Sequence, residues 1–502
     1  MEYLAYFGAA ALGAIAIFTA LSAVALLRMR GDVAGLLKDI RYNLERIKVI
    51  AGSANNHIRQ IRFQNFETGR NVELLIRKTV RESGPASGSL APFRERSVVF
   101  LHNSYYHFHY LSKALRARGW DAVTVSMEDP ASPNSRFYHG ADINLYSPDP
   151  EQFRRRLNTF FTFAKQRYSM MHFYGEHTMG FFPENFDMDK PADIIEWKNL
   201  GKKVAYSISG CLSCTAQSSF ADWSARDGGQ ACCDKCQYPR PEICSDEKNL
   251  RWGKKVDEYC DLIFAETHPA LDYLRGPKVV REPVTSCLDT EFWRPNLPIP
   301  AGHVVDRSPG EILVYHGVAN HDSRTSSTGD NIKGTKAIME AVERLNREGL
   351  KVRLLFATNA KNSEVRYLQA QADIIADQLN IGRYGATARE GMMLGKPVIC
   401  YINRTELSDE DRLFSLREAP LVSARENTIY AALKELAMNR EKRVAIGEAS
   451  RRYAVKWHGA EGCAERYEKI YDNLMTGVAG GYPYPSAPGE SSLARLAEFE
   501  KE

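Results

Sequence analysis

The stretch from Ala372 to Ile402, ADIIADQLNIGRYGATAREGMMLGKPVICYI, decides the fold. It opens on a short apolar run, ADIIADQL, and passes through a glycine-bearing loop into a helical pattern from Gly385 to Leu394. After Gly395, Lys396 and Pro397 it closes on a second apolar run, PVICYI. Two short apolar runs joined through a helix form a βαβ unit, and the crossover makes their strands parallel. The same alternation extends upstream through EILVYHGV, a helix from Lys333 to about Arg347, and VRLLFAT. Beyond the Pro-rich break WRPNLPIPAG, Trp293 to Gly302, lies an earlier series: SVVFLH (Ser97 to His102), an amphipathic run to Arg118, DAVTVSM, ADINLYS, MMHFYG, KKVAYSIS and DLIFAET. The expected fold class is therefore α/β, with two Rossmann-like domains spanning 97–295 and 305–475.

Length and composition agree with this layout. The chain of 502 residues is more than three times the ~150 expected of one domain. Its 44% hydrophobic and 25% charged residues exclude a disordered, collagen-like or polytopic membrane chain. A net charge of only +4 excludes a strongly basic nucleic-acid binder, so no nucleic-acid partner is expected. No GxGxxG follows the first strand and no GxxxxGK[ST] occurs, which disfavours a dinucleotide dehydrogenase or a P-loop ATPase. Two Rossmann domains facing one another make a ligand cleft at the carboxyl ends of their strands.

Glu390 to Val398, EGMMLGKPV, is similar to the Glu-Ala-Met-Ala-x-Gly-x-Pro-Val element of retaining glycosyltransferases of family four, which have the GT-B fold. The competing reading is an ordinary turn punctuated by Gly and Pro. The resemblance implies that Glu390 accepts hydrogen bonds from the donor ribose and that the loop at Gly385 brings backbone amides to the diphosphate at a helix N-terminus. NIKGTKAIMEAVERL, from Asn331, resembles the family's lysine-glycine element. That implies Lys333 as a diphosphate ligand, Gly334 as the turn after it, and Arg324 as the nearest upstream arginine for a second phosphate contact. The implied cofactor is a nucleotide diphosphate sugar, the donor substrate. One position departs from the family pattern: counting back from Glu390 puts Gly382 where a first glutamate, contacting the transferred sugar, is expected.

The N-terminal half matches more weakly. VVREPVTSCLDTEFWRPN resembles the family's crossover, placing Asp289 and Phe292. The active-site histidine is expected near MMHFYGEH, with His172 and His177 as catalytic candidates and Tyr174 in the second histidine position. Asp187-Met188-Asp189 and Asp409-Glu410-Asp411 fit the letters of a metal-binding Asp-x-Asp, but their polar or Pro-flanked surroundings read as solvated loops.

A cysteine-rich insertion, 211–244, is not explained by the resemblance. Cys211 and Cys214 form one Cys-x-x-Cys, Cys233 and Cys236 a second, and Cys244 follows. Such pairs about twenty residues apart have the spacing of a structural zinc site, with iron–sulfur ligation or packing as alternatives. Cys260, Cys287, Cys400 and Cys463 lie in core-like runs and are expected to be bystanders.

The N-terminus adds a membrane expectation. Leu4 to Leu27 carries no charge and is long enough to cross a bilayer, giving a transmembrane anchor over 1–30. Arg28, Arg30, Lys38 and Arg41 follow the span and nothing basic precedes it, which orients the bulk of the chain to the cytoplasmic side of the inner (plasma) membrane, and from Arg28 to Arg81 twelve Lys and Arg against five Asp and Glu leave a net +7. Val33, Leu37, Ile40, Leu44, Ile47, Ala51, Ala54, Ile58 and Ile61 step in a 4-3 repeat, the seam of a coiled coil within a helical stalk over 31–82. A homo-oligomer through 33–61 is the corresponding expectation, followed by a linker at 83–96 and, after the second domain, a tail over 476–502. The function expected is that of a membrane-anchored glycosyltransferase acting on a glycan or lipid-linked acceptor, or of an inactive relative serving as a scaffold.

Overall fold

The structure, a computed structural model, describes residues 95–477 apart from 103, 176, 187, 209, 211–213, 226–228, 238–241, 266–275, 281–286, 404–415 and 417. The expected membrane span, the coiled-coil stalk and most of both the linker and the tail therefore lie outside the described residues. Among the described residues no helix is long and apolar enough to cross a membrane.

The first half builds one parallel sheet from β1 (Ser97–Leu101), β2 (Asp121–Ser126), β3 (Ile143–Asn144), β4 (Met170–Gly175), β5 (Lys203–Ile208), β6 (Leu262–Ala265) and β7 (Val279–Val280). Their order is β3-β2-β1-β4-β5-β6-β7. All five residues of β1 are buried, as a strand covered on both faces demands, which is why its sequence is apolar without alternation. Around the sheet lie α1 (His107–Ala117), α2 (Pro150–Arg167), α3 (Ala192–Asn199), α4 (Gln217–Ala225) and α5 (Asp246–Tyr259). α2 starts where Asp149 caps the amides of Glu151 and Gln152 at 2.9 and 3.3 Å, with Pro150 in its first turn.

The second half forms a parallel sheet of β8 (Ile312–Val318), β9 (Val352–Thr358), β10 (Ile374–Ala376) and β11 (Val398–Ile399) in the order β11-β10-β8-β9. Its helices are α6 (Thr335–Arg347), α7 (Asn362–Gln371), α8 (Ala386–Met393), α9 (Ile429–Met438), α10 (Arg440–His458) and α11 (Ala460–Met475). On α6 the buried Ile338, Ala341, Val342 and Leu345 fall at i, i+3, i+4 and i+7, so one stripe seats the helix on the sheet.

The chain passes between the halves twice, and the two crossings touch. Leu288 N donates to His458 O at 2.7 Å, and Arg451 Nη1 donates to the carbonyls of Trp293 (2.7 Å) and Met393 (2.6 Å). The second crossing corrects the expected boundary: α11 falls inside 305–475 in sequence, yet it packs on the first domain. Tyr467 stacks on Phe264 with ring centroids 4.6 Å apart, Glu468 pairs with Arg118 at 2.5 Å, and Tyr471 reaches His172. The apolar face of α11, built on Cys463, Ala464, Tyr467, Ile470 and Tyr471, is plain in the sequence. Periodicity says that a face exists but not which sheet receives it.

Candidate active site

Both sheets reverse strand order beside their first strand, β1 against β4 and β8 against β10. Crevices open at the carboxyl ends of such strands. A cleft of about 1070 Å³ lies there, lined from the first domain by His102, Tyr174 and Gly175 and from the second by Gly317, Val318 and Asp377. The two Rossmann-like sheets thus face one another across it.

The second-domain wall is organised by Asp377, which directly follows β10 and is fully buried. Its Oδ1 accepts from Lys333 Nζ at 2.9 Å and its Oδ2 from the Gly385 amide at 3.0 Å. Burial works to raise the carboxyl pKa, but the Lys333 ammonium and the Gly385 amide outweigh it and hold the group below the usual aspartate range. Lys333 also donates to Gly317 O at 3.1 Å, and it keeps part of its surface in the cleft. Gly334, with φ of +74°, turns the chain into α6; an added Cβ would lie 3.0 Å from that of Leu379.

Gly385 is the N-cap of α8 and supplies no side chain to the helix's first amides. With Gly385, Ala386 and Thr387 lining the cleft beside Lys333, this corner is built to receive an anion. Arg324 lines the same cleft and makes no side-chain hydrogen bond or ion pair among the described residues. Glu390, one and a half turns into α8, is only 2% exposed but also borders the cleft. Asn362 Nδ2 donates to its Oε1 at 3.0 Å and Gln369 Nε2 to its Oε2 at 2.8 Å. Burial raises its pKa against the pull of those two amides.

A relay runs from this carboxylate into the first domain. Because Asn362 gives its amide hydrogen to Glu390, its Oδ1 is the acceptor facing His139 Nε2 at 2.6 Å. His139 therefore carries its proton on Nε2, and Nδ1 accepts from Tyr110 OH at 2.9 Å. Burial lowers the His139 pKa to about 4, so the ring is neutral, and it stacks on Trp293 at 5.3 Å.

The histidines expected to do chemistry sit differently. His172 is fully buried in β4, between Ser207 Oγ at 2.8 Å and Tyr471 OH at 2.6 Å, and stacked on Phe264 at 5.1 Å. It ties α11 to the sheet and does not border the cleft. The cause is the period of two in a strand, which sends His172 and Tyr174 to the same face but puts only the strand's end at the opening. His177 follows β4 with φ of +54° and its ring edge-on to Trp252 at 5.1 Å, while its neighbours Gly175 and Thr178 are the residues lining the cleft. The histidine that does line it is His102, at the end of β1, with Nε2 3.2 Å from Gly180 O and a pKa lowered to about 4 by burial.

Gly382 has φ of +91°, and a Cβ there would stand 2.9 Å from Trp223 Cη2 and 3.2 Å from Asn403 Cβ. The carboxylate that the family pattern places here is excluded by the shape of the turn. Asp289, by contrast, does local work at the crossover, its Oδ1 accepting from the Glu291 and Phe292 amides at 2.8 and 2.9 Å.

The described cysteines of the insertion do not gather into one site. Cys214 is fully buried at φ of +65°, whereas Cys232, Cys233, Cys236 and Cys244 border the cleft. The Cys233 thiol is pushed up by its neighbour Cys232 and by burial. Cys211 lies outside the described residues, and among those described no group of three or more His, Cys, Asp or Glu is placed to hold a metal ion. The described residues thus assemble no ligand set for the zinc expected from the spacing. Cys260, Cys287, Cys400 and Cys463 are buried, as expected of core residues. Asp187 and Asp409 to Asp411 lie outside the described residues.

No protein-family model matches the chain, and no curated protein matches it. Among solved structures it is similar to a sucrose-phosphate synthase from Thermosynechococcus elongatus, at 14% identity over 76% of this chain and 100% of that one, with a TM-score of 0.46. A glycosyltransferase from Rickettsia africae gives 12% identity over 76% and 99%, TM-score 0.44. A UDP-N-acetylglucosamine 2-epimerase gives 12% over 78% and 98%, TM-score 0.39.

Thus Arg324, Lys333, Gly385 and Glu390 come together on one cleft, with Gly334 behind Lys333. Asp377, Asn362, His139 and His102 were not singled out from the sequence. Only Asp377 had a visible signal, a lone carboxylate closing the apolar run ADIIAD. His139 and Asn362 are 223 residues apart and had none.

Proposed function

We propose that the protein is a glycosyltransferase that binds a nucleotide diphosphate sugar in this cleft and passes the sugar to a glycan or lipid-linked acceptor. The observation that carries the proposal is the corner of Lys333, Asp377 and the Gly385 amide at the facing carboxyl ends of two Rossmann sheets. A diphosphate set there meets an ammonium and a helix N-terminus, which offset the charge that develops as the nucleotide leaves. Glu390, oriented by Asn362 and Gln369, accepts hydrogen bonds from ribose hydroxyls. Retention of anomeric configuration, as in family four, is part of the proposal.

The test is binding of a panel of nucleoside diphosphates to the detergent-solubilised protein, followed by sugar transfer. Glu390→Gln is expected to weaken the bound nucleotide about 10- to 100-fold, the worth of one hydrogen bond to a charged group. A wild-type protein that binds none of the panel, or a variant that binds equally well, would sink the proposal. The scaffold reading is favoured by Gly382; it predicts nucleotide binding without any transfer.

We place the protein on the inner (plasma) membrane through Leu4 to Leu27, with the globular part cytoplasmic and the basic 28–81 segment at anionic headgroups. The 4-3 repeat in 33–61 supports self-association in the same segment. Protease added to spheroplasts should leave the globular part intact; its digestion there reverses the topology.

A further inference from the structure

The turn that leads into α8 carries a second cation that nucleotide binding leaves unused. Arg383 borders the cleft, is only 9% exposed, and its Nη1 is buried without a hydrogen-bond partner among the described residues. Lys333 differs, because Asp377 already answers its charge. A buried guanidinium without a counter-charge is costly, and its cost is offset only when an anion arrives.

The backbone holds this group in place. The Gln378 side-chain amide donates to Arg383 O, the Ile381 amide donates to Gln378 Oε1 at 2.7 Å, and the Asn403 amide donates to Gly382 O at 2.8 Å. Residue 382 cannot supply the missing negative charge, since Trp223 occupies the space of any side chain there. Arg383 also stands two residues before Gly385, so their Cα atoms are no more than about 7 Å apart. A diphosphate at the Lys333–Gly385 corner therefore shares the cleft with Arg383.

We propose that Arg383 is a specificity-determining residue that receives an acidic group on the transferred sugar, a carboxylate of the uronate kind. The planar guanidinium fork matches a carboxylate through two parallel hydrogen bonds, which an ammonium cannot reproduce. This rests on the nucleotide-sugar function proposed above and adds to it the class of sugar.

The experiment measures affinities of the full-length protein, in detergent, for a nucleoside diphosphate, its glucose conjugate and its glucuronic acid conjugate, on whichever base binds. The wild type is expected to prefer the glucuronic acid conjugate over the glucose conjugate by tenfold or more. Arg383→Gln should bring that ratio to about one, and Arg383→Lys, which keeps the charge but not the fork, should keep only part of it. Thermal melts of both variants establish that they fold. A wild type that binds the nucleotide without preferring the acid overturns this inference alone. A variant that loses the bare nucleoside diphosphate as severely as the conjugates assigns Arg383 to the diphosphate and also overturns it. If no nucleotide binds to the wild type, the underlying function falls and this inference with it.

Discussion

Lys333→Ala is expected to cost about 3–5 kcal/mol of stability and to abolish nucleoside diphosphate binding together. The stability loss comes from what the change leaves behind. Asp377 is fully buried, and without the ammonium at 2.9 Å its only remaining donor of those described is the Gly385 amide. A double variant separates the two effects: adding Asp377→Asn should recover much of the melting temperature, because a neutral amide tolerates burial, while binding stays lost. Acidification separates them again. In the wild type the Asp377 pKa lies below the ordinary 3.8, so its contribution is complete above that value and is lost as pH falls through the depressed one. In Lys333→Ala burial is opposed chiefly by the Gly385 amide and raises the pKa, so the carboxyl protonates earlier and the gap to wild type narrows on acidification. Melts from pH 7 downward read this directly, and a gap that stays constant would argue that the pair does not stabilise the fold.

Gly382→Glu should damage the protein although it restores the letter of the family pattern. The backbone at φ of +91° is one that side chains adopt at a cost of about 1–2 kcal/mol. The Cβ, 2.9 Å from Trp223 Cη2, adds overpacking of about 1–3 kcal/mol, because the indole is buried at 1% exposure and has nowhere to retreat. The expected result is a clear drop in melting temperature and no gain in turnover, with Gly382→Ala showing most of the stability loss. Full stability with increased transfer in Gly382→Glu would show that the turn yields and that a carboxylate serves catalysis here.

Much of this site was legible because its parts are local. Lys333 with Gly334 and Gly385 with Glu390 each lie on one strand–loop–helix connection, and such connections sit at the carboxyl edge of a parallel sheet wherever they occur. Asp377 was within reach on the same grounds. His172 misled because a histidine within an apolar strand looks the same whether Ser207 and Tyr471 enclose it or the cleft exposes it. The paired cysteines are a related case: spacing states which thiols can meet, and Cys214 is turned into the core.

By itself, the sequence determined the succession of strands and helices, since parallel strands covered on both faces must be apolar throughout and crossover helices must carry one apolar stripe. It also determined the location of the cleft, which follows from the strand order such a succession adopts. Only the tertiary structure decided that α11 returns to the first domain, that His139 and Asn362 join Glu390 to the opposite wall, and that Arg383 is buried with its Nη1 unpartnered among the described residues. Those depend on contacts between residues up to 376 positions apart, such as Arg96 with Asp472. No local pattern encodes such contacts, because each partner satisfies its own helix or strand equally well whichever surface it finally meets.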